Sequence, residues 1–78
     1  MEVQQQSAQE LPTPLVVTAV DAAAMFHKAA RTWRTWDSTG RIPRPIRIGR
    51  TTYWRPEELQ AWVAAGCPDR ETWEQRQS

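Results

Sequence analysis

The chain has 78 residues, of which 24% are charged and 40% hydrophobic, and its formal net charge is +1. This length predicts one small domain. Its single cysteine and single histidine exclude an internal disulfide and a tetrahedral zinc site built within one chain.

Other sequence features narrow the class of protein further. No apolar run approaches the ~20 residues that span a bilayer, and the first ten residues lack the basic start and apolar stretch of a secretory signal. No nucleophile stands in a recognisable motif with a base. We therefore expect a cytoplasmic protein that is not an enzyme and has no catalytic residue, metal, cofactor, small-molecule substrate or membrane partner.

The near-zero net charge conceals a strong charge separation along the chain. Residues 28–55 contain eight basic side chains and one acidic one, a local charge of +7, whereas the rest of the chain carries −6. Seven of the eight are arginine, which is suited to bidentate contacts with phosphate and guanine. The eight are Lys28, Arg31, Arg34, Arg41, Arg44, Arg47, Arg50 and Arg55. This segment predicts a cationic face for a polyanion.

The first predicted element is a short helix over residues 19–26. Residues 1–14 before it are polar and glutamine-rich and predict a disordered tail, so the domain is expected over residues 15–76. Thr18 is in position to cap the helix, with Asp21 three residues later, and Val17 can pack on Ala22. The apolar spacing predicts that Ala22, Met25 and Phe26 face inward.

A second helix is predicted over residues 30–38, after a tight turn at residues 27–29. Trp33 and Trp36 have the three-residue spacing of one buried stripe, which favours a core role over stacking on single-stranded bases. Arg31, Arg34 and Thr35 fall on the outer face. Glycine and proline residues beyond position 38 prevent the helix from continuing.

Residues 46–54 predict a β-hairpin, with two registers open. A two-residue loop at 49–50 pairs Ile48 with Thr51 and places Trp54 on the opposite face from Ile46. A three-residue loop places Ile46, Ile48 and Trp54 on one face, and we expect this register because the buried face sets the pairing. Arg47 and Tyr53 would then point away from the core.

A third helix begins at Pro56, with Glu57 and Glu58 at the positive end of its dipole. Leu59, Trp62 and Val63 form its predicted inward stripe, and Gly66 and Pro68 end it. Residues 69–78 are expected to add a short helical turn that folds Trp73 back onto the domain.

The order helix, turn, helix, hairpin, helix is that of a winged helix-turn-helix, a mainly α fold with a small hairpin. In this fold the second helix enters the DNA major groove and the hairpin follows the backbone or minor groove. The predicted DNA-binding residues on and before the second helix are Lys28, Ala30, Arg31, Arg34 and Thr35. Those at the exit of the helix and on the hairpin are Arg41, Arg44, Arg47, Arg50 and Tyr53.

Three stretches also carry a resemblance: TAVDAAAMF at residues 18–26, RTWRTWDSTGRIPRPIRIG at 31–49 and YWRPEELQAWV at 53–63. The chain resembles the AlpA and excisionase group of MerR-like winged helix proteins over about residues 16–63. The resemblance implies a small phage or mobile-element factor that binds short double-stranded DNA sites, often cooperatively with neighbouring copies. It further implies an excisionase (a recombination directionality factor), with a phage integrase as a partner.

Arg31, Arg41, Arg47 and Trp54 match the usual pattern of this group. The inter-helix turn departs from it, because residues 27–29 stand where Gly-Val-Ser is common. Ala30 and Thr35 stand where the group often has a basic residue and an arginine.

Two other functions remain open. The same fold and surface serve an AlpA-like transcriptional regulator, and fold alone does not separate that role from excision. An interaction adaptor that docks its arginine-rich face on an acidic protein is the alternative from another class. The chain has no heptad pattern for a coiled coil, so we expect a monomer that assembles with neighbouring copies on DNA.

Overall fold

The computed structural model describes residues 14–77. The predicted tail, except for Pro14, lies outside the described residues. Six elements follow in chain order: α1 Ala19–Met25, α2 Ala30–Ser38, β1 Ile46–Ile48, β2 Thr51–Tyr53, α3 Pro56–Ala64 and α4 Arg70–Gln77. The prediction of a mainly helical domain with a small antiparallel hairpin is confirmed over this part of the chain.

Side-chain caps begin two of the helices. The Thr18 hydroxyl accepts a hydrogen bond from the backbone N–H of Asp21, 3.4 Å away, as the sequence predicted. The Asp69 carboxylate accepts one from the backbone N–H of Thr72 at 2.9 Å and starts α4. The predicted C-terminal turn is therefore a helix of eight residues.

The ends of α1, α2 and α3 share one hydrogen-bond pattern. In each, the two residues beyond the cap donate backbone bonds to the carbonyls of the last turn, which is the Schellman motif. Gly40 and Gly66 supply the positive φ that this motif requires after α2 and α3, with values of 74° and 92°. His27 adopts it after α1 with φ 59°, although its side chain makes this conformation less favourable.

Trp33 lies at the centre of the core. It is fully buried, and its ring centroid lies 5.1 Å from that of Phe26, 5.7 Å from Trp54 and 6.0 Å from Trp36. The Trp33 side chain thus connects the end of α1, the rest of α2 and the residue that follows β2. Its indole N–H has no hydrogen-bond acceptor among the described residues.

Three other tryptophans are buried and have hydrogen-bond partners. The indole N–H of Trp54 donates to the Pro43 carbonyl (2.9 Å), that of Trp62 to the Pro68 carbonyl (2.7 Å) and that of Trp73 to the Glu58 carboxylate (2.9 Å). The predicted core role is confirmed for these three and for Trp33. Trp36 is only half-buried against the same core.

Two helix residues that were predicted to face inward do not. Met25 and Val63 are exposed by 45% and 47%, respectively. Ala22 and Ala23 fill the inner side of α1, where the small side chains let it approach the aromatic residues closely. Leu59 and Trp62 are enough to cover the inner side of α3.

The expected hairpin register is wrong, and the two-residue loop is the one observed. Ile48 pairs with Thr51 and Ile46 with Tyr53, so Gly49 and Arg50 form the loop. Gly49 has φ 64° and Arg50 has no positive φ, as in a type II′ turn. In this register Trp54 lies on the opposite face of the hairpin from Ile46 and Ile48.

Trp54 is buried, as expected, but not by sharing a face with the hairpin isoleucines. It is held in the core by paired backbone hydrogen bonds with Val17, at 2.8 and 2.9 Å, so it is buried without help from the hairpin isoleucines. Ile42 is fully buried, whereas Ile46 is half-buried and Ile48 is 56% exposed. The hairpin therefore extends beyond the core.

Arg70 joins α4 to the region between α2 and β1. Its guanidinium donates to the Asp37 carboxylate at 2.6 Å and to the backbone carbonyls of Asp37 and Ile42, both at 3.1 Å. Its own backbone N–H donates to the Gly40 carbonyl at 2.9 Å. This set of bonds fixes the exit of α2. None of the helices within residues 14–77 has the length and apolar character needed to cross a bilayer.

Candidate nucleic-acid interface

The outer face of α2 carries exposed residues that can donate and accept hydrogen bonds. Successive residues of an α-helix are rotated by about 100°, so Arg31, Arg34, Thr35 and Ser38 share one side, opposite the buried Trp33. All four are exposed. Arg31 and Arg34, one turn apart, have Cβ atoms about 5–6 Å apart, so both guanidinium groups can reach the same ligand.

Ser38 was missed by the sequence reasoning. It follows Arg34 by four residues and Arg31 by seven, so the helical period was the signal that could have found it. Its hydroxyl donates to the Thr35 carbonyl at 3.0 Å, and the Thr35 hydroxyl donates to the Arg31 carbonyl at 3.1 Å. Both hydroxyl oxygens keep lone pairs that can accept from a ligand.

The start of α2 differs from the other described helix starts. Ala29 provides no side-chain cap, and no acidic residue lies in the first turn. In contrast, α1 and α4 are capped by side chains, and α3 has two glutamates in its first turn. The first N–H groups of α2, with the positive end of its dipole, are thus available to an anion. Lys28 is exposed just before them, and Ala30 is half-buried.

The hairpin places its two arginines at different positions. Arg47 pairs with Thr52 across the strands and shares its face, whereas Arg50 occupies the loop. Both side chains are exposed. Tyr53, which was expected to point outward with Arg47, lies on the opposite face beside Ile46 and is half-buried. The corrected register thus separates Tyr53 from Arg47.

The two arginines at the exit of α2 also differ. Arg41 is exposed, and its side chain has no ion-pair partner among residues 14–77. The Arg44 guanidinium lies 2.9 Å from the Glu74 carboxylate on α4. This contact raises the pKa of Arg44 and lowers the pKa of Glu74. Arg44 must release Glu74, or share it, before it can bind an external anion fully.

Six of the ten basic residues have no ion-pair partner and donate no side-chain hydrogen bond within the described part of the chain, and all six are exposed. We call them the six unpaired cations: Lys28, Arg31, Arg34, Arg41, Arg47 and Arg50. Arg55 lies 3.8 Å from Glu58, Arg70 bonds to Asp37, and Arg76 donates to the Ala65 carbonyl at 3.5 Å. The unpaired cations all come from α2, its two ends and the hairpin.

Comparison with known proteins identifies no relative. No family model, no curated protein and no solved structure matches this chain. Within residues 14–77, no three histidine, cysteine, aspartate or glutamate side chains lie close enough together to hold a metal ion. The candidate site therefore rests on the residues and geometry of this chain alone.

Proposed function

We propose that this protein is a winged helix-turn-helix protein that binds double-stranded DNA sequence-specifically. The observation that carries the proposal is the position of the six unpaired cations on α2, at its ends and on the hairpin. In a winged helix-turn-helix, these are the elements that meet DNA. The element order of the described chain supports the same assignment.

The two elements have different proposed tasks. An α-helix fits the major groove, which is about 12 Å wide, and arginine pairs with guanine there through two hydrogen bonds. Arg31 and Arg34 are the proposed base-reading residues, with Thr35 beside them. The uncapped start of α2 and Lys28 would bind phosphate. Arg41, Arg47 and Arg50 would bind the DNA backbone on either side of the groove that α2 occupies.

Selection from a random library of duplex DNA tests the proposal directly. We expect the full chain to enrich a short common motif and to bind it more tightly than scrambled duplexes at the same salt concentration. Binding should weaken steeply as salt increases, because each phosphate neutralised contributes about −0.9 to the slope of log K against log salt. If the protein bound an acidic protein surface more tightly than it bound any duplex, that result would favour the interaction adaptor instead.

Replacement of Arg31 or Arg34 by alanine tests the base-reading role. Each substitution is expected to weaken binding to the selected motif by roughly 1–3 kcal/mol and to relax the preference for one base. Arg76→Ala on α4 is the matched control, because it removes an exposed arginine outside the proposed site. Unchanged affinity and base preference in both folded variants would exclude this assignment.

Arg50→Ala tests the proposed phosphate contact of the hairpin. It should weaken binding to all duplexes about equally and reduce the salt slope by about one. Arg55→Ala, whose side chain already lies beside Glu58, should leave the slope unchanged. A loss confined to one sequence would mean that the hairpin reads bases.

The motif resemblance described above makes promotion of integrase-mediated excision the first biological role to test. Where an integrase gene lies beside this one, recombination between its attachment sites, measured with the protein present or absent, provides the assay. Excision that depends on the protein supports this role. Binding at a promoter with no effect on recombination supports the AlpA-like regulator.

A further inference from the structure

Ile48 is an apolar side chain in an unexpected place. It is 56% exposed and lies next to the hairpin loop, between the unpaired Arg47 and Arg50. The other exposed large apolar residues lack this setting on the hairpin; they are Leu15, Val20, Met25 and Val63. Single exposed apolar residues are common, so the position of Ile48 between two arginines is the informative feature.

The hairpin can present this side chain to the floor of a DNA groove. Three residues per strand give it a reach of about 10 Å, whereas the minor groove is about 7.5 Å deep. The two-residue loop keeps the tip narrow, and a Cβ on Gly49 would meet no atom within 4 Å. Nothing in the described chain blocks the approach of the tip.

The charge around Ile48 favours nucleic acid over protein. No acidic residue lies between Asp37 and Glu57. Arg50 occupies the loop beside the isoleucine, so it can bind a phosphate at the edge of a groove while the apolar side chain faces the bases. Arg47 lies on the opposite face of the strand and can bind the DNA backbone outside that groove. Apolar side chains that enter the minor groove in this way partly unstack a base step.

We propose that Ile48 inserts into the minor groove and partly opens one base step, so that the protein prefers an easily unstacked pyrimidine–purine step at that position. This inference rests on the proposed DNA binding and adds a specificity determinant to it. TA and CA/TG steps are the most readily deformed, so they lower the cost of insertion. The contact is apolar and should depend little on salt.

Parallel selections with the wild-type chain, Ile48→Ala and Val63→Ala test the proposal. The wild type and Val63→Ala should enrich a TA or CA/TG step at a fixed distance from the bases read by α2. Ile48→Ala should keep those bases but lose the step, and bind the wild-type motif about tenfold more weakly with an unchanged salt slope. Val63 is a suitable control because it is exposed to a similar degree on α3.

A second measurement reports insertion itself. The fluorescence of 2-aminopurine placed at the selected step should rise when the wild type binds and rise less with Ile48→Ala. Equal step preference and equal fluorescence for the two proteins would overturn the proposal. Loss of cooperative binding to tandem sites, with single-site binding unchanged, would overturn it too and assign Ile48 to a contact between copies. If the wild type enriched no motif, the proposed function itself would fail.

Discussion

Arginines have different surroundings in the two halves of this domain. Around α3 and α4, Arg55 and Arg70 have carboxylate partners, and Arg70 also binds two backbone carbonyls. Around α2 and the hairpin, the six unpaired cations have no such partner in the described chain. An arginine whose donors are used internally holds the fold together, whereas one with free donors can bind a ligand. Arginine content alone does not distinguish the two.

The largest expected effect is that of Trp54→Ala, which should destabilise both halves of the domain together. Trp54→Ala removes a buried ring that packs against Trp33 and a hydrogen bond to Pro43, so the free energy of unfolding should fall by about 3–5 kcal/mol. That is a large share of the stability of so small a domain. Chemical denaturation followed by circular dichroism measures it. A variant with native stability that no longer binds DNA would show that Trp54 is a ligand contact.

Arg70→Ala and Arg34→Ala compare the stability contribution of an arginine that has internal partners with that of one that has none. Arg70→Ala should lower the free energy of unfolding by about 2 kcal/mol, because it leaves the Asp37 carboxylate and two carbonyls without a donor. Arg34→Ala should leave the free energy of unfolding within about 0.5 kcal/mol of the wild type. Paired denaturation curves give both values. Equal losses in the two variants would mean that the internal contacts of Arg70 do not stabilise the fold.

A smaller effect is expected at the turn before α2. A positive φ costs a residue with a side chain about 1–2 kcal/mol, and His27→Gly removes this cost from the folded state. Glycine also makes the unfolded chain more flexible, which lowers the free energy of unfolding by about 0.4–1 kcal/mol. The net result should be a gain of about 1 kcal/mol in the free energy of unfolding. Thermal melting would show it as a rise of about 4–8 °C. A fall in melting temperature would mean that the imidazole itself makes a stabilising contact.

The smallest expected effect concerns pH and α4. The pKa values of Asp69 and Glu74 are lowered, by the Thr72 backbone N–H and by Arg44, respectively. Their contributions to stability are therefore complete above the ordinary carboxyl pKa of about 4 and are lost as the pH falls through the lowered values. Glu74→Gln should make the stability less dependent on pH below about 4, with little change at neutral pH. Identical acid titrations of wild type and variant would exclude the Arg44 contact as the cause.

Elements with strong local signals were predictable from the sequence. The Thr18 cap, the bounds of α2 and the start of α3 at Pro56 all follow from nearest-neighbour chemistry, and the structure confirms them. The outer face of α2 followed from helical periodicity, although Ser38 was overlooked.

The contacts that the sequence did not reveal join residues that are distant along the chain. The backbone of Val17 pairs in the core with that of Trp54, 37 positions later. The engagement of Arg44 depended on Glu74, 30 positions later. Neither contact leaves a periodic pattern in the sequence. Met25 and Val63 were assigned to the core because apolar spacing does not reveal how much of a helix its neighbours cover.

The central position of Trp33 has a mechanical consequence. Because its ring contacts both Trp36 on α2 and Trp54 beside β2, the helix and the hairpin are joined through one close-packed aromatic group. In the proposed complex, α2 and the hairpin would therefore keep a fixed spacing, and the protein would bind best to DNA whose two neighbouring grooves match that spacing. A duplex whose grooves do not match that distance would have to bend or change its groove width, and the DNA rather than the protein would bear the cost of the fit.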